Sequence, residues 1–289
     1  MKYQEFLLEK YDSFNLKDIF ECGQCFRWNE EPDKSYTGVF GNNVLNVKKT
    51  ENGILFKGMC ENDIINTVID YFDLERDYNE IKNVLSKIDD NMKESIKYGE
   101  GIRILNQDLW ETIISFIISA NNNIPRIKGI IERLSKNYGK KIVFNNKEYY
   151  TFPTPEELKD VSVEAYRQLG LGFRDIRVYE TTLMVIDKVV DINKLKDMKE
   201  TSDIRNELLK LSGVGEKVAD CILLFSTLKR FDVFPIDVWV RRVMNDLYIH
   251  KEDEKSVSKK EIINLANKKF GKLEGIAQQY LFYWRRELG

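Results

Sequence analysis

The hydrophobic period of the chain changes once, near residue 63, and that switch limits the folds open to it. Before it stand three short β-prone runs, Tyr36 to Phe40, Val44 to Lys48 and Ile54 to Lys57, separated by Gly41-Asn42-Asn43 and Glu51-Asn52-Gly53. Asn and Gly tolerate the left-handed backbone of a tight turn, so such pairs between apolar runs mark antiparallel hairpins. From Asp63 onward Ile65, Val68, Ile69 and Phe72 fall on one stripe of a helix. Nearly everything beyond residue 100 keeps that helical period. The expectation is an α+β protein, with an N-terminal antiparallel sheet domain over residues 1–100 packed on a mostly helical domain over residues 101–289.

Within the helical part, Leu109, Trp110, Ile113, Ile114, Ile117 and Ile118 predict a helix buried along a wide face. It ends at Asn121-Asn122-Asn123, and Pro125 blocks simple continuation. Further helices are predicted over Pro155 to Leu169, closed by Gly170 and Gly172, then over Tyr179 to Val190, Arg205 to Leu211 and Gly275 to Glu287.

Several chemistries are excluded early. The chain has one histidine, His250, in a highly charged stretch, which leaves no material for a multi-His metal centre or a Ser-His-Asp triad. The longest apolar run, Ile113 to Ala120, is too short to cross a bilayer, and the N-terminus lacks the apolar core of a secretory signal. A cytoplasmic protein is expected, with Cys22, Cys25, Cys60 and Cys221 as reduced thiols. The net charge of -2 conceals an asymmetry: residues 1–100 carry -7 and residues 101–289 carry +5. A polyanion would therefore meet the C-terminal part.

Leu208 to Met244 carries the chemistry. It reads as a helix, a Gly213-Val214-Gly215 turn, a second helix from about Glu216 to Leu228, a loop, and a helix starting near Pro235. Such a turn leaves backbone N–H groups uncovered at a helix N-terminus, where they can hold a phosphate. The same turn also serves a helical hairpin that only packs. Lys217 lies in the first turn of the second helix, where the positive end of the dipole favours the neutral amine, the nucleophilic form. Asp237 at the next helix start is placed to stabilise a developing cation, or simply to cap.

The hairpin, with Lys217 and Asp237 twenty residues apart, resembles that of the helix-hairpin-helix DNA glycosylases, and a lysine at this place marks their bifunctional glycosylase and lyase members. GQCFRW at Gly23 to Trp28, SFIISANNNIPR at Ser115 to Arg126, LGLGFR at Leu169 to Arg174, GVGEKVADC at Gly213 to Cys221 and AQQYLF at Ala277 to Phe282 follow the order seen in 8-oxoguanine DNA glycosylases. Many related endonuclease III enzymes carry a four-cysteine cluster near the C-terminus. No cysteine follows Cys221 here, so no iron-sulfur cluster is expected.

The resemblance implies roles. Lys217 is the Schiff-base nucleophile and Asp237 the shared catalytic aspartate; Gly213 and Gly215 belong to the hairpin that grips DNA phosphate. Phe282 and Cys221 clamp the flipped base, Gln278 bonds its Watson–Crick edge, and the backbone carbonyl of Gly23 accepts from the N7 proton that only the oxidised guanine has. Asn121 fills the hole left in the stack, Phe173 wedges the helix, and Arg126 with Arg174 contact the orphan cytosine. The partner is double-stranded DNA containing 8-oxoguanine, bound by a monomer with no metal and no organic cofactor. Two positions depart from the animal pattern: Phe173 replaces a tyrosine, and Trp239 replaces a phosphate-contacting histidine. Two other readings stay open on sequence, namely a bifunctional glycosylase for another damaged base and a non-catalytic hairpin module that only binds DNA. The CxxC pair Cys22 and Cys25 could also be a redox or metal pair, although a single pair makes a poor zinc site.

Overall fold

The computed structural model describes residues 1–9 and 11–288, with side chains as far as residue 286. Five antiparallel strands form one sheet in the order β1-β5-β4-β3-β2: β1 (Lys2–Leu8), β2 (Trp28–Glu30), β3 (Tyr36–Phe40), β4 (Asn43–Thr50) and β5 (Gly53–Cys60). The last three are the runs read from sequence, slightly longer at their ends. The edge strands β1 and β2 were not among the expected ones. β1 alternates exposed and half-buried residues and takes its register from β5, where Phe6 pairs with Phe56 and their rings stack at 6.0 Å.

Helices α1 (Leu16–Glu21) and α2 (Ile64–Tyr71) bury Ile19, Phe20 and Val68 in one core with Trp28, Leu45, Val47 and Phe56 of the sheet. Asp63 caps α2 by accepting from the Asn66 amide at 3.0 Å. Helices α3 (Tyr78–Ser86) and α4 (Asp90–Tyr98) follow, and their Leu85, Met92 and Ile96 already belong to the larger helical core.

Arg103 ties the segment after α2 to the entry of the helical part. Fully buried, it donates to the carbonyls of Phe72 at 3.0 Å, Asp73 at 2.5 Å and Arg76 at 3.2 Å, with its guanidinium against the Tyr78 ring. Arg103→Met keeps most of the volume and leaves those carbonyls without their donor, at an expected loss of about 3 kcal/mol. A urea midpoint equal to that of the parent would show that the carbonyls find other partners.

The remaining helices are α5 (Leu109–Ser119), α6 (Ile124–Tyr138), α7 (Pro155–Leu158), α8 (Val163–Gln168), α9 (Asp175–Ile186), α10 (Ile192–Leu195), α11 (Thr201–Leu208), α12 (Glu216–Phe225), α13 (Val238–Met244), α14 (Lys259–Phe270) and α15 (Glu274–Leu288). α5 is buried along most of its surface and packs on α12, with Phe116 stacked on Phe225 at 5.6 Å. Pro125 sits in the first turn of α6, where its missing N–H costs nothing, so it starts a helix after the break. The region is not helical throughout: β6 (Lys141–Phe144) and β7 (Lys147–Tyr150) form a hairpin around Asn145 and Asn146, both at positive φ. The single helix expected over Pro155 to Leu169 is two, because Ser162 accepts from the Ala165 amide and caps a new start. α9 and α11 begin about four residues earlier than the apolar pattern implied, and the short α10 between them was not expected.

Candidate active site and nucleic-acid interface

The turn between α11 and α12 sets the first corner of the site. Gly213 has φ +81°, and a Cβ there would stand 2.9 Å from Cδ of Arg177 and 3.2 Å from Ile117, so both conformation and space demand glycine. Gly215 is extended at φ -95° and caps α12 without any side chain, leaving the helix N-terminus open.

Lys217 lies in the first turn of α12, half-buried, with Nζ 5.5 Å from the Phe116 ring centroid. Cys221, one turn further, is buried on the same face. Asp237 caps α13 by accepting from the Val240 amide at 2.8 Å. The ionisation of Lys217 departs from the sequence reading, which expected the dipole to ease deprotonation. The sulfur of Cys221 and, against the effect of burial, the carboxylate of Asp237 hold the Lys217 ammonium above the ordinary lysine value. Burial pushes the Cys221 thiol up to about 11, so near neutrality it is uncharged, and Asp237 is then the group that raises Lys217, against the larger opposing effect of burial.

Gly23 and Phe282 form the second corner. Gly23 has φ +91°, and a Cβ there would lie 3.4 Å from Cε1 of Phe282. Gln278, one turn before Phe282 on α15, is buried, and its Oε1 has no hydrogen-bond partner among the described residues. A buried orphan acceptor of this kind calls for a donor from outside. The loop around Gly23 is pinned by its neighbour: the Gln24 amide donates to the carbonyls of Ile19 (2.8 Å) and Arg103 (2.7 Å) and accepts from the Leu105 amide (2.9 Å). Gln107 then bridges the loop to α12, donating to the carbonyls of Gln24 (2.8 Å) and Phe225 (2.9 Å). The two corners also meet through Phe116, whose ring is 5.6 Å from that of Phe26 and carries Lys217 on its face. Cys22 and Cys25 are buried thiols bonded to the carbonyls of Ile19 and Phe20, and burial raises both, which does not fit a redox pair.

The third corner gathers the residues assigned to the orphan strand. Asn121 is exposed at φ +50°, Arg126 is exposed beside the Gly170 carbonyl at 3.3 Å, and Phe173 is 52% exposed. Arg174 departs from expectation. It is buried, and donates to the carbonyls of Ala120 (2.8 Å), Asn121 (2.7 Å) and Leu171 (3.2 Å), so its fork is engaged in holding the Asn121 loop instead of facing outward. Phe173 is flanked by two guanidinium groups, Arg174 at 4.2 Å and Arg177 at 5.3 Å from its centroid. Trp239 is half-buried, with its indole N–H enclosed and without a partner among the described residues. Gln24, Gln107, Gln279 and Arg177 escaped the sequence reading; Gln24 and Gln279 lie inside quoted motifs, but their partners are far away in sequence.

Known proteins combine the same parts. Residues 6–113 match the model of the 8-oxoguanine DNA glycosylase N-terminal domain, and residues 114–272 that of the HhH-GPD superfamily base excision DNA repair protein. A probable N-glycosylase/DNA lyase of Methanothermobacter thermautotrophicus is 32% identical over 238 residues, covering 75% of this chain and 73% of the relative. The 8-oxoguanine glycosylase/lyase of Clostridium acetobutylicum, solved with double-stranded DNA containing cytosine opposite 8-oxoG, superposes with a TM-score of 0.90 at 40% identity, over 100% of this chain and 99% of the other. MBOgg1, solved with a low affinity DNA ligand, gives 0.93 at 46% identity over the whole of both chains. The chain belongs to the HhH-GPD superfamily of base excision DNA repair proteins, and within that superfamily to the 8-oxoguanine DNA glycosylases. Among the described residues no helix is long and apolar enough to cross a membrane.

Proposed function

We propose that this protein flips 8-oxoguanine out of duplex DNA, excises it through a Schiff base on Lys217, and nicks the strand by β-elimination. The observation that carries the reading is the buried, partnerless Oε1 of Gln278 on the helix whose Phe282 faces Gly23, in a site linked through Phe116 to Lys217. In this reading the base lies between Phe282 and Cys221, Gln278 bonds its Watson–Crick edge, and the Gly23 carbonyl accepts from N7–H. Guanine would set its N7 lone pair against that carbonyl and lose the bond.

For excision, the neutral Lys217 amine bonds to C1′ as the C1′–N9 bond breaks, and the electron pair leaves with the base, which takes up a proton. Asp237 offsets the positive charge that develops on the sugar. Opening of the sugar ring gives the imine, and loss of a C2′ proton then expels the 3′ phosphate. Hairpin amides around Gly213 and Gly215 hold a DNA phosphate, on the helical unit 101–289 that carries the positive charge excess. The protein acts as a monomer in the cytoplasm.

The test is single-turnover excision from a duplex with one 8-oxoguanine opposite cytosine, with undamaged guanine as control. Removal of an oxidised pyrimidine, with 8-oxoguanine left in place, would overturn the substrate assignment. On the orphan strand Asn121 fills the gap, Phe173 wedges the stack, and Arg126 reads cytosine. Arg126→Ala is therefore expected to narrow the difference in excision rate opposite cytosine and opposite adenine. Arg174→Ala should instead lower both rates together, because it releases the Asn121 loop. A selective loss opposite cytosine in Arg174→Ala would return that arginine to direct base contact.

A further inference from the structure

The carbonyl assigned to lesion reading belongs to a glycine with no side chain to fix it. Gly23 follows the end of α1, where helix carbonyls lack intrahelical donors, and at φ +91° it has no side chain to hold the adjoining peptide planes. Two side chains of α15 take hold of the two carbonyls just before it. Gln279 Nε2 donates to the Cys22 carbonyl, and Arg286 Nη2 donates to the Glu21 carbonyl. Gln279, Phe282 and Arg286 stand at i, i+3 and i+7, on one stripe of α15. The Arg286 guanidinium also lies 5.5 Å from the Phe282 ring centroid, and a Cβ on Gly23 would be 3.4 Å from both Arg286 Nη1 and Phe282 Cε1. The helix that presents Gln278 and Phe282 to the base therefore also grips the loop on the other side of the pocket.

We propose that Gln279 and Arg286 are positioning residues that set the separation of the Gly23 carbonyl from Gln278 and Phe282, and thereby the discrimination of 8-oxoguanine from guanine. The proposal rests on the reading of Gly23 as the lesion-reading acceptor. 8-Oxoguanine differs from guanine at C8=O and N7–H, and in this reading the N7 proton is recognised by one hydrogen bond, whose direction must be held within about 0.5 Å and 10–20°. Gln24 anchors the loop toward the sheet side, and the α15 pair anchors it toward the base. Among the described residues the bonds of the pair run to the carbonyls of Cys22 and Glu21, and sugar chemistry on a site that has already lost its base is expected to proceed without them.

The experiment compares the full-length protein with Gln279→Met, Arg286→Met and Arg286→Lys in three single-turnover assays: excision of 8-oxoguanine opposite cytosine, excision of guanine, and strand cleavage at a preformed abasic site. Both methionine variants are expected to lose 8-oxoguanine excision by about tenfold to a hundredfold, in rate and not in DNA affinity. Abasic cleavage should stay within about twofold, and Arg286→Lys, which keeps a donor for the Glu21 carbonyl, should recover most of the loss. Gln279 is buried, so its variant could lose structure; the half-buried Arg286 pair decides the matter independently. Equal falls in excision and abasic cleavage, or no fall in either, would overturn the proposal. If the parent protein cleaves abasic sites but releases no 8-oxoguanine, the reading of Gly23 fails, and the positioning role falls with it.

Discussion

Lys217→Gln is expected to yield no covalent complex when borohydride is added to the protein on a duplex with one 8-oxoguanine opposite cytosine, while lesion binding persists. The amide fills nearly the same volume beside Phe116 and Cys221, so the helix and the hairpin keep their shape, but it cannot form an imine. Base release should fall by several orders of magnitude, because nucleophile and leaving group act on the same carbon. Trapping retained in this variant would assign the imine to another amine, and base release retained without trapping would make the protein a monofunctional glycosylase.

Asp237→Asn tests electrostatics in two directions at once. Base excision should slow by about a hundredfold to a thousandfold, the usual effect of removing a charge aimed at the transition state. The Asp237 carboxylate acts to raise the Lys217 value, so its removal lowers that value. Only the amine attacks, and it accumulates as pH rises through the lysine value. The pH profile of trapping on abasic DNA should accordingly move to lower pH in the variant. A profile that stays in place would show that Asp237 does not set the protonation of Lys217.

How far the sequence alone reached depends on the range of the interaction. The β3–β5 meander was legible because the turn residues and the apolar alternation are local, and α5 and α12 because their apolar stripes are long. β1 was not, since a strand of mixed charge and apolar residues shows its register only against β5. The β6–β7 hairpin did carry a signal, two asparagines between β-prone runs, which was lost inside an otherwise helical stretch. At the site, residue types and order pointed to Lys217, Asp237, Gly23, Gln278 and Phe282. Burial could not be read in the same way: nothing in LGLGFR says that Arg174 turns inward to three carbonyls while Phe173 turns out. The direction at Lys217 was missed because the dipole was weighed without the sulfur of Cys221, one turn on in the same helix, and without Asp237, which arrives from another helix.

The exposed ring of Phe173 between two guanidinium groups bears on how such a protein searches. A large apolar side chain in water ordinarily folds back onto the surface, and has to be lifted and ordered anew at each encounter. Here Arg174 is locked by its carbonyls, and the ring stands against it before any DNA arrives. For the wedge role proposed for Phe173, a side chain ordered before DNA arrives would meet its ordering entropy once, during folding, and not at every step of a scan.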